Sequence, residues 1–224
     1  MLLTWVLVIL FVYLLLLGVN IIGDGFKWLS GGADGAAKIF SFARNPIVGV
    51  ILGTLATALV QSSSTVTSVI VGLVAGGVPV SIAVPMIMGA NMGTTIPYTI
   101  VSLGNIGERS MFNSSFQAAT VHDFFNLYTF FIFLPFEIIF HPLERLGGVM
   151  ADWFVADAGS SVGSYNFLGA ATKPFSKSII GLLEVFPKVV GSLLAIAIGI
   201  AFVIGSVLFL GKLLRAVMTG KAMN

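Results

Sequence analysis

The sequence predicts an all-α membrane protein in which transmembrane helices accompany a re-entrant helical hairpin and a broken helix. Three observations predict it. Apolar residues make up 57% of the 224 and charged residues only 9%, whereas a soluble domain carries about 25% charged residues to cover its surface. Several uncharged stretches are long enough to cross the roughly 30 Å of bilayer hydrocarbon. Finally, residues 45–107 lack any charged side chain yet hold nine glycines, four prolines and thirteen serines or threonines. Glycine and proline at that density interrupt helices, and interrupted backbone is tolerated at membrane depth only inside protein or beside a water-filled cavity.

The elements follow in order within a single membrane domain, 1–224. Residues 2–22, "LLTWVLVILFVYLLLLGVNII", are uncharged and give a first transmembrane helix ending near residue 22. They lack the basic start and small-residue cleavage site of a signal peptide. Residues 23–44 mix glycine with single charges and predict a short amphipathic segment at the interface. The span 45–103 divides into a helix from Pro46 to Val60, a break at "QSSS", a helix from Thr65 to Val74, a turn at "AGGVP", and a further helix interrupted at "GANMGTT". Its first two helices are shorter than the roughly 20 residues needed to span, which makes them a re-entrant hairpin with Gln61–Ser64 at its tip. Two interrupted elements in succession point to a binding site near the midplane. After a polar stretch at 104–118, residues 119–141 predict another transmembrane helix with His122 and Asp123 in its first turns. Residues 142–186, with a Gly/Ser-rich centre, read as loop, and 187–211 as the last span before a short basic tail.

Several functions are excluded. A net charge of +2 without a basic stripe gives no nucleic-acid surface. The absence of cysteine removes disulfides and thiolate metal sites, and no cofactor is implied. The pair His122–Asp123 beside a serine run is no hydrolytic triad, because nothing in the sequence brings the two together. The chain is therefore not read as an enzyme.

The polar groups at the first break suit an anion. A helix beginning at Ser63 or Ser64 presents unpaired N–H groups and the positive end of its dipole, and Ser62, Ser63, Ser64 and Thr65 add hydroxyl donors there. An oxyanion is then held without a fixed lysine or arginine, which leaves room for cations as co-ligands. Sodium takes oxygen ligands, and Gln61, Asn91, Thr94, Thr95 and the carbonyls freed at the breaks supply them. The plainer alternative is that serine and threonine back-bond within membrane helices and let them pack closely. That alternative covers Thr54 and Thr57; for Gln61 to Thr65 together with the second break, the binding reading is preferred. His122, Asp123 and Asn126 fall at i, i+1 and i+4 and could form one polar network, either a proton or cation relay or an interfacial cap.

Four motifs in order, "QSSST", "MGANMGTT", "HDFFN" and "FLPFE", resemble the first half of the type II sodium-dependent phosphate cotransporters, the Na/Pi-cotransporter family. The resemblance covers roughly residues 40–146. It implies two inverted repeats, each with a QSSS hairpin, enclosing phosphate and sodium. Ser62, Ser63, Ser64 and Thr65 would line the phosphate site, and Gln61, Asn91 and Thr94 would be sodium ligands. Two departures stand out. Where the family pattern continues Thr-Asn-Thr this chain reads "IPYT", so that Pro97 is expected to lengthen the break and Tyr98 to crowd it. There is also one QSSS only, so the second repeat is expected from another copy, as a homodimer, or from a missing carboxy-terminal half.

Positive charge does not choose an orientation. Arg109, Lys212, Arg215 and Lys221 fall on one side of this map and Lys27, Lys38, Arg44, Arg145, Lys173 and Lys177 on the other. The expectation is a multi-pass protein of the cell (inner) membrane that carries out sodium-coupled symport of inorganic phosphate by alternating access. The alternatives are a non-transporting half-repeat acting as an interaction or regulatory subunit, or a transporter of another small anion.

Overall fold

The computed structural model describes residues 2–104, 106–107, 109–156 and 167–218, and every regular element among them is helical. In chain order these are α1 (Leu2–Ser30), α2 (Ala33–Ile39), a single 3-10 turn (Ser41–Arg44), α3 (Pro46–Val60), α4 (Ser63–Ala75), α5 (Val80–Gly93), α6 (Thr95–Gly104), α7 (Arg109–Phe140), α8 (Pro142–Ala156), α9 (Phe167–Leu183) and α10 (Lys188–Met218). Three stretches are long and apolar enough to cross a membrane: Thr4–Ser30, Arg109–Phe140 and Lys188–Arg215. The chain is an all-α membrane protein. It divides into two units, one drawn from Met1–Ile39, Ser68–Val78 and Ala158–Asn224, the other from Phe40–Thr67 and Pro79–Asp157.

In the first unit α1 packs along α10 through small residues. A β-carbon added at Gly18 would lie 2.9 Å from the Gly199 carbonyl oxygen, and one at Gly199 would lie 2.8 Å from that of Gly18. Such close backbones suit a membrane interface, where packing takes over from the hydrophobic effect. Leu17, Ile21 and Ala195 form the buried centre, with Ile180, Leu183 and Phe202 against it. Helix α9 adds a polar seam to α1. Tyr13 donates to the Ala171 carbonyl (2.9 Å), Asn20 to the Thr172 hydroxyl (3.1 Å), and Ser176 to the Asp24 carboxylate (2.5 Å).

That seam corrects two expectations. Helix α1 does not stop at residue 22 but runs to Ser30, and no separate interfacial segment begins at Gly23. Gly23 and Gly25 lie within the helix where close neighbours leave no room for a side chain: added β-carbons would sit 3.0 Å from those of Ala75 and Ala195. Asp24 is accommodated by Ser176. The helix ends where Gly31 turns left-handed (φ +78°) and the Gly31 and Gly32 N–H groups both close on the Lys27 carbonyl. Residues 142–186, expected as loop, instead hold α8 and α9; the stretch 157–166 lies outside the described residues.

In the second unit α7 starts at Arg109, ten residues before its expected start at 119. In its polar first turns the Ser114 and Ser115 hydroxyls are satisfied within the helix, donating back to the carbonyls of Ser110 and Met111 (3.2 and 2.7 Å). At its other end His141 is left-handed (φ +50°) and the chain turns directly into α8. Pro142 opens that helix, where its missing N–H costs nothing. The buried Glu137 carboxylate accepts the N–H groups of Leu143 (2.8 Å) and Glu144 (3.1 Å), capping α8 with a negative charge at the positive end of its dipole.

Candidate functional site: two helix breaks side by side

Helices α3 and α5 touch backbone to backbone. An added β-carbon at Gly53 would lie 1.9 Å from the Met86 carbonyl oxygen, one at Gly89 2.0 Å from that of Val50, and one at Gly93 2.4 Å from that of Thr54. The Thr54 hydroxyl donates to the Gly89 carbonyl (3.0 Å). Partners advance in step, Gly49 beside Pro85, Gly53 beside Met86 and Ala90, and Thr57 beside Gly93. The two helices therefore run parallel and end at the same side, α3 at Val60 and α5 at Gly93.

Each end is a break with a specific cause. Gln61 is left-handed (φ 57°, ψ 27°) and its N–H closes on the Thr57 carbonyl at 2.6 Å, which terminates α3. Ser62 then caps α4: its hydroxyl accepts the Thr65 N–H (3.3 Å) and shares a hydrogen bond with the Thr65 hydroxyl (2.9 Å), while its carbonyl accepts the Val66 N–H. Of the four serine and threonine residues assigned to phosphate, Ser62 and the buried Thr65 thus form the cap, and Ser63 and Ser64 occupy the first turn of α4. That turn is where backbone N–H groups have no intrahelical acceptor.

The second break is shorter than expected. Thr94 alone separates α5 from α6, and Pro97 sits in the first turn of α6, where a missing N–H is tolerated, so it does not lengthen the interruption. Hydroxyls satisfy the loosened carbonyls: Thr94 donates to Asn91 and Thr95 to Met92 (3.0 Å). Helix α7 clasps the break from the side. Asn126 donates its amide N–H to the Asn91 carbonyl (3.3 Å), Asp123 accepts the Thr99 hydroxyl (2.6 Å), and the His122 ring stands edge-on to Tyr98 at 6.5 Å. His122, Asp123 and Asn126 therefore each face α5 or α6. Because α7 begins at Arg109, Asp123 lies 14 residues, about 21 Å, inside it and not in its first turns.

The structure thus brings Asn91, Thr94, Thr95, Asp123 and Asn126 together around one break, and sets Gln61 one turn beyond Thr57 at the neighbouring one. A cavity of about 310 Å³ opens between α6 and α7, lined by Thr95, Thr99, Asp123 and Asn126 among apolar side chains. A smaller one of about 70 Å³ reaches Asn91 and shares Asn126 and Met92. Thr99 was missed by sequence reasoning, although it follows Thr95 by one turn. Thr57 was assigned to packing and is fully buried, but its hydroxyl has no partner. Glu137 belongs to a quoted motif whose role only the cap reveals. Glu137, His141 and Glu144 place one ligand atom each within 4.8 Å of one another. Both Glu137 oxygens are taken by N–H groups and His141 is 3.3 Å from Glu144, so this cluster is the α7–α8 corner.

Long apolar helices accompanied by short broken ones with adjacent polar ends mark a class, the polytopic α-helical membrane proteins. The model of the Na+/Pi-cotransporter family matches residues 14–151, and the chain belongs to that family. It is 40% identical over 176 residues to sodium-dependent phosphate transport protein 2B of Pongo abelii, covering 77% of this chain and 25% of that protein. The human 2B protein is 39% identical with the same coverage. Protein 2A of Oryctolagus cuniculus is 39% identical over 179 residues, 79% of this chain and 27% of that one. The chain spans about a quarter of the length of these relatives. No solved structure matches it.

Proposed function

We propose that the chain is one repeat of a sodium-coupled phosphate symporter in the cell membrane, with phosphate held at the start of α4 and sodium at the ends of α3 and α5. The observation that carries this reading is that the parallel α3–α5 pair stops on one side at two breaks, in a stretch without a charged side chain. The amino-terminal end of α4 is a positive dipole end with serine donors, which suits an oxyanion. The carboxy-terminal ends of α3 and α5 are negative dipole ends with loosened carbonyls, which suit a cation.

The residues divide accordingly. Ser62 and Thr65 shape the turn as its cap, and Ser63 and Ser64 meet phosphate. Gln61 and the exposed Asn91 side chain offer oxygens to sodium. Thr94 and Thr95 spend their protons on carbonyls and keep lone pairs for the ion. Sodium supplies the positive charge that the site lacks, so the anion binds well only with its co-ion. The interlocked α3–α5 pair moves as one body, giving alternating access against a second, inverted repeat from another copy or from further chain.

The test is radiolabelled phosphate uptake into liposomes holding this chain, driven by an inward sodium gradient, with potassium in its place as control. Accumulation with sodium alone supports symport. Equal uptake in potassium contradicts the coupling, and loss of the signal to sulfate but not to unlabelled phosphate contradicts the substrate. Sodium-stabilised binding without uptake would favour the non-transporting subunit.

A further inference from the structure

We infer that Lys27 and Lys188, at the corner between α9 and α10, form a binding site for the headgroup of an anionic phospholipid. Both lysines belong to the first unit, and neither takes part in the two helix breaks. The α1 and α10 backbones bring them together. The Trp28 ring lies 2.5 Å from where a β-carbon on Gly191 would stand, and the Lys188 Nζ lies 3.9 Å from the same position on Gly31. Lys27 sits one turn before Gly31 and accepts its N–H at 3.0 Å. Both lysines are exposed, and among the described residues neither ammonium is paired with an acid or a hydrogen-bond acceptor. Glu184 precedes Lys188 by one turn without pairing to it. Lys27 complements the negative end of the α1 dipole, but Lys188 stands at the positive end of α10, where a cation gains nothing.

Depth and apolar exposure identify the anion. The 28 residues Lys188–Arg215 reach about 42 Å at 1.5 Å per residue, about 12 Å more than the roughly 30 Å of hydrocarbon, which sets Lys188 at the level of the headgroups. The corner beside it is well ordered and apolar. Glu184 donates its N–H to the Ile180 carbonyl and Phe186 to that of Leu183, both at 3.0 Å, yet Val185 is 87% exposed and Phe186 46%. These two side chains decide between a lipid phosphate and a dissolved one. They seat the corner in the interface, where lipid phosphates surround the lysines, and the exposed Val189 and Leu193 carry an acyl chain onward along α10. Trp28 fits the aromatic belt at the same level.

The test is native mass spectrometry of the purified full chain in detergent, titrated with phosphatidylglycerol and, separately, with phosphatidylcholine of the same acyl chains. Wild type is expected to bind the anionic lipid at least fivefold more tightly. Lys27→Gln and Lys188→Gln each lose about fivefold of that affinity, the weight of one lysine at a membrane surface. Lys188→Arg keeps it. Lys212→Gln also keeps it, because that ammonium lies 5.5 Å over the Phe209 ring toward the other end of α10. Equal binding of the two lipids, or an affinity unmoved in both lysine-to-glutamine variants at the corner, overturns the inference. An equal loss in Lys212→Gln does so too, since it would reduce the effect to overall charge. Displacement of the bound lipid by inorganic phosphate would make the pair a site for a dissolved anion and overturn it as well. None of these outcomes depends on whether the chain carries phosphate or sodium.

Discussion

Replacing Gly53 by alanine tests the contact that aligns the two breaks. The new β-carbon would lie 1.9 Å from the Met86 carbonyl oxygen and 2.8 Å from the Ala90 nitrogen. The first distance is about 1.4 Å closer than the roughly 3.3 Å at which carbon and carbonyl oxygen meet. Both neighbours are backbone, so no side chain can turn aside and the helices must separate. Overpacking of this kind costs about 1–3 kcal/mol, and at roughly 2–4 °C per kcal/mol for a chain of this size the melting temperature falls by roughly 2–12 °C. Gly205→Ala in α10 is the control, because nothing lies within 4 Å of its added β-carbon. There the substitution gains up to about 1 kcal/mol of helix propensity and does not lower the melting temperature. The assay is thermal unfolding of the purified protein in detergent, followed by sodium-dependent phosphate binding on the same samples. Gly53→Ala is expected to lose both stability and binding. If Gly53→Ala and Gly205→Ala melt alike, the parallel α3–α5 contact is wrong, and with it the adjacency of the breaks.

Three further predictions follow from single groups. Glu137→Gln replaces one acceptor by a donor facing the α8 N–H groups and should cost about 1–3 kcal/mol, read as a lower melting temperature, whereas exposed His141→Gln should change little. Thr57→Val removes a buried hydroxyl that has no partner and should stabilise the chain by about 1 kcal/mol; a loss of sodium-dependent phosphate binding in that variant would instead give the hydroxyl a ligand. Ser176→Ala strips Asp24 of its donor and should lower the melting temperature, while neighbouring exposed Lys177→Ala should not.

How much could be read in advance depended on whether the cause was local. The break at Gln61 was legible because serine and threonine favour caps and a 15-residue helix cannot span, and α3 ends at Val60 as expected. The end of α1 was not legible, because glycine and aspartate within it mark an end unless a partner helix supplies close packing and a hydroxyl, and Ala195 and Ser176 lie more than 150 residues away. Helix α8 was hidden by its charges and glycines, although Leu143, Leu146 and Met150 recur at helical spacing. For the candidate site, residue types pointed to Ser62 to Thr65 and to Gln61, Asn91, Thr94 and Thr95, which the fold sets at the two breaks. The clasp by Asp123 and Asn126 depends on where α7 begins, and its polar first turns, with Ser114 and Ser115 bonded back to the carbonyls of Ser110 and Met111, have a composition that disfavours helix.

The most direct test of the central claim is equilibrium binding of radiolabelled phosphate to the purified chain as sodium replaces potassium at constant ionic strength. The account predicts that phosphate affinity rises at least tenfold with sodium, that Ser63→Ala abolishes most of this binding, and that Thr54→Ala leaves it within twofold. Phosphate binding indifferent to sodium, or lost equally in Ser63→Ala and Thr54→Ala, would contradict it.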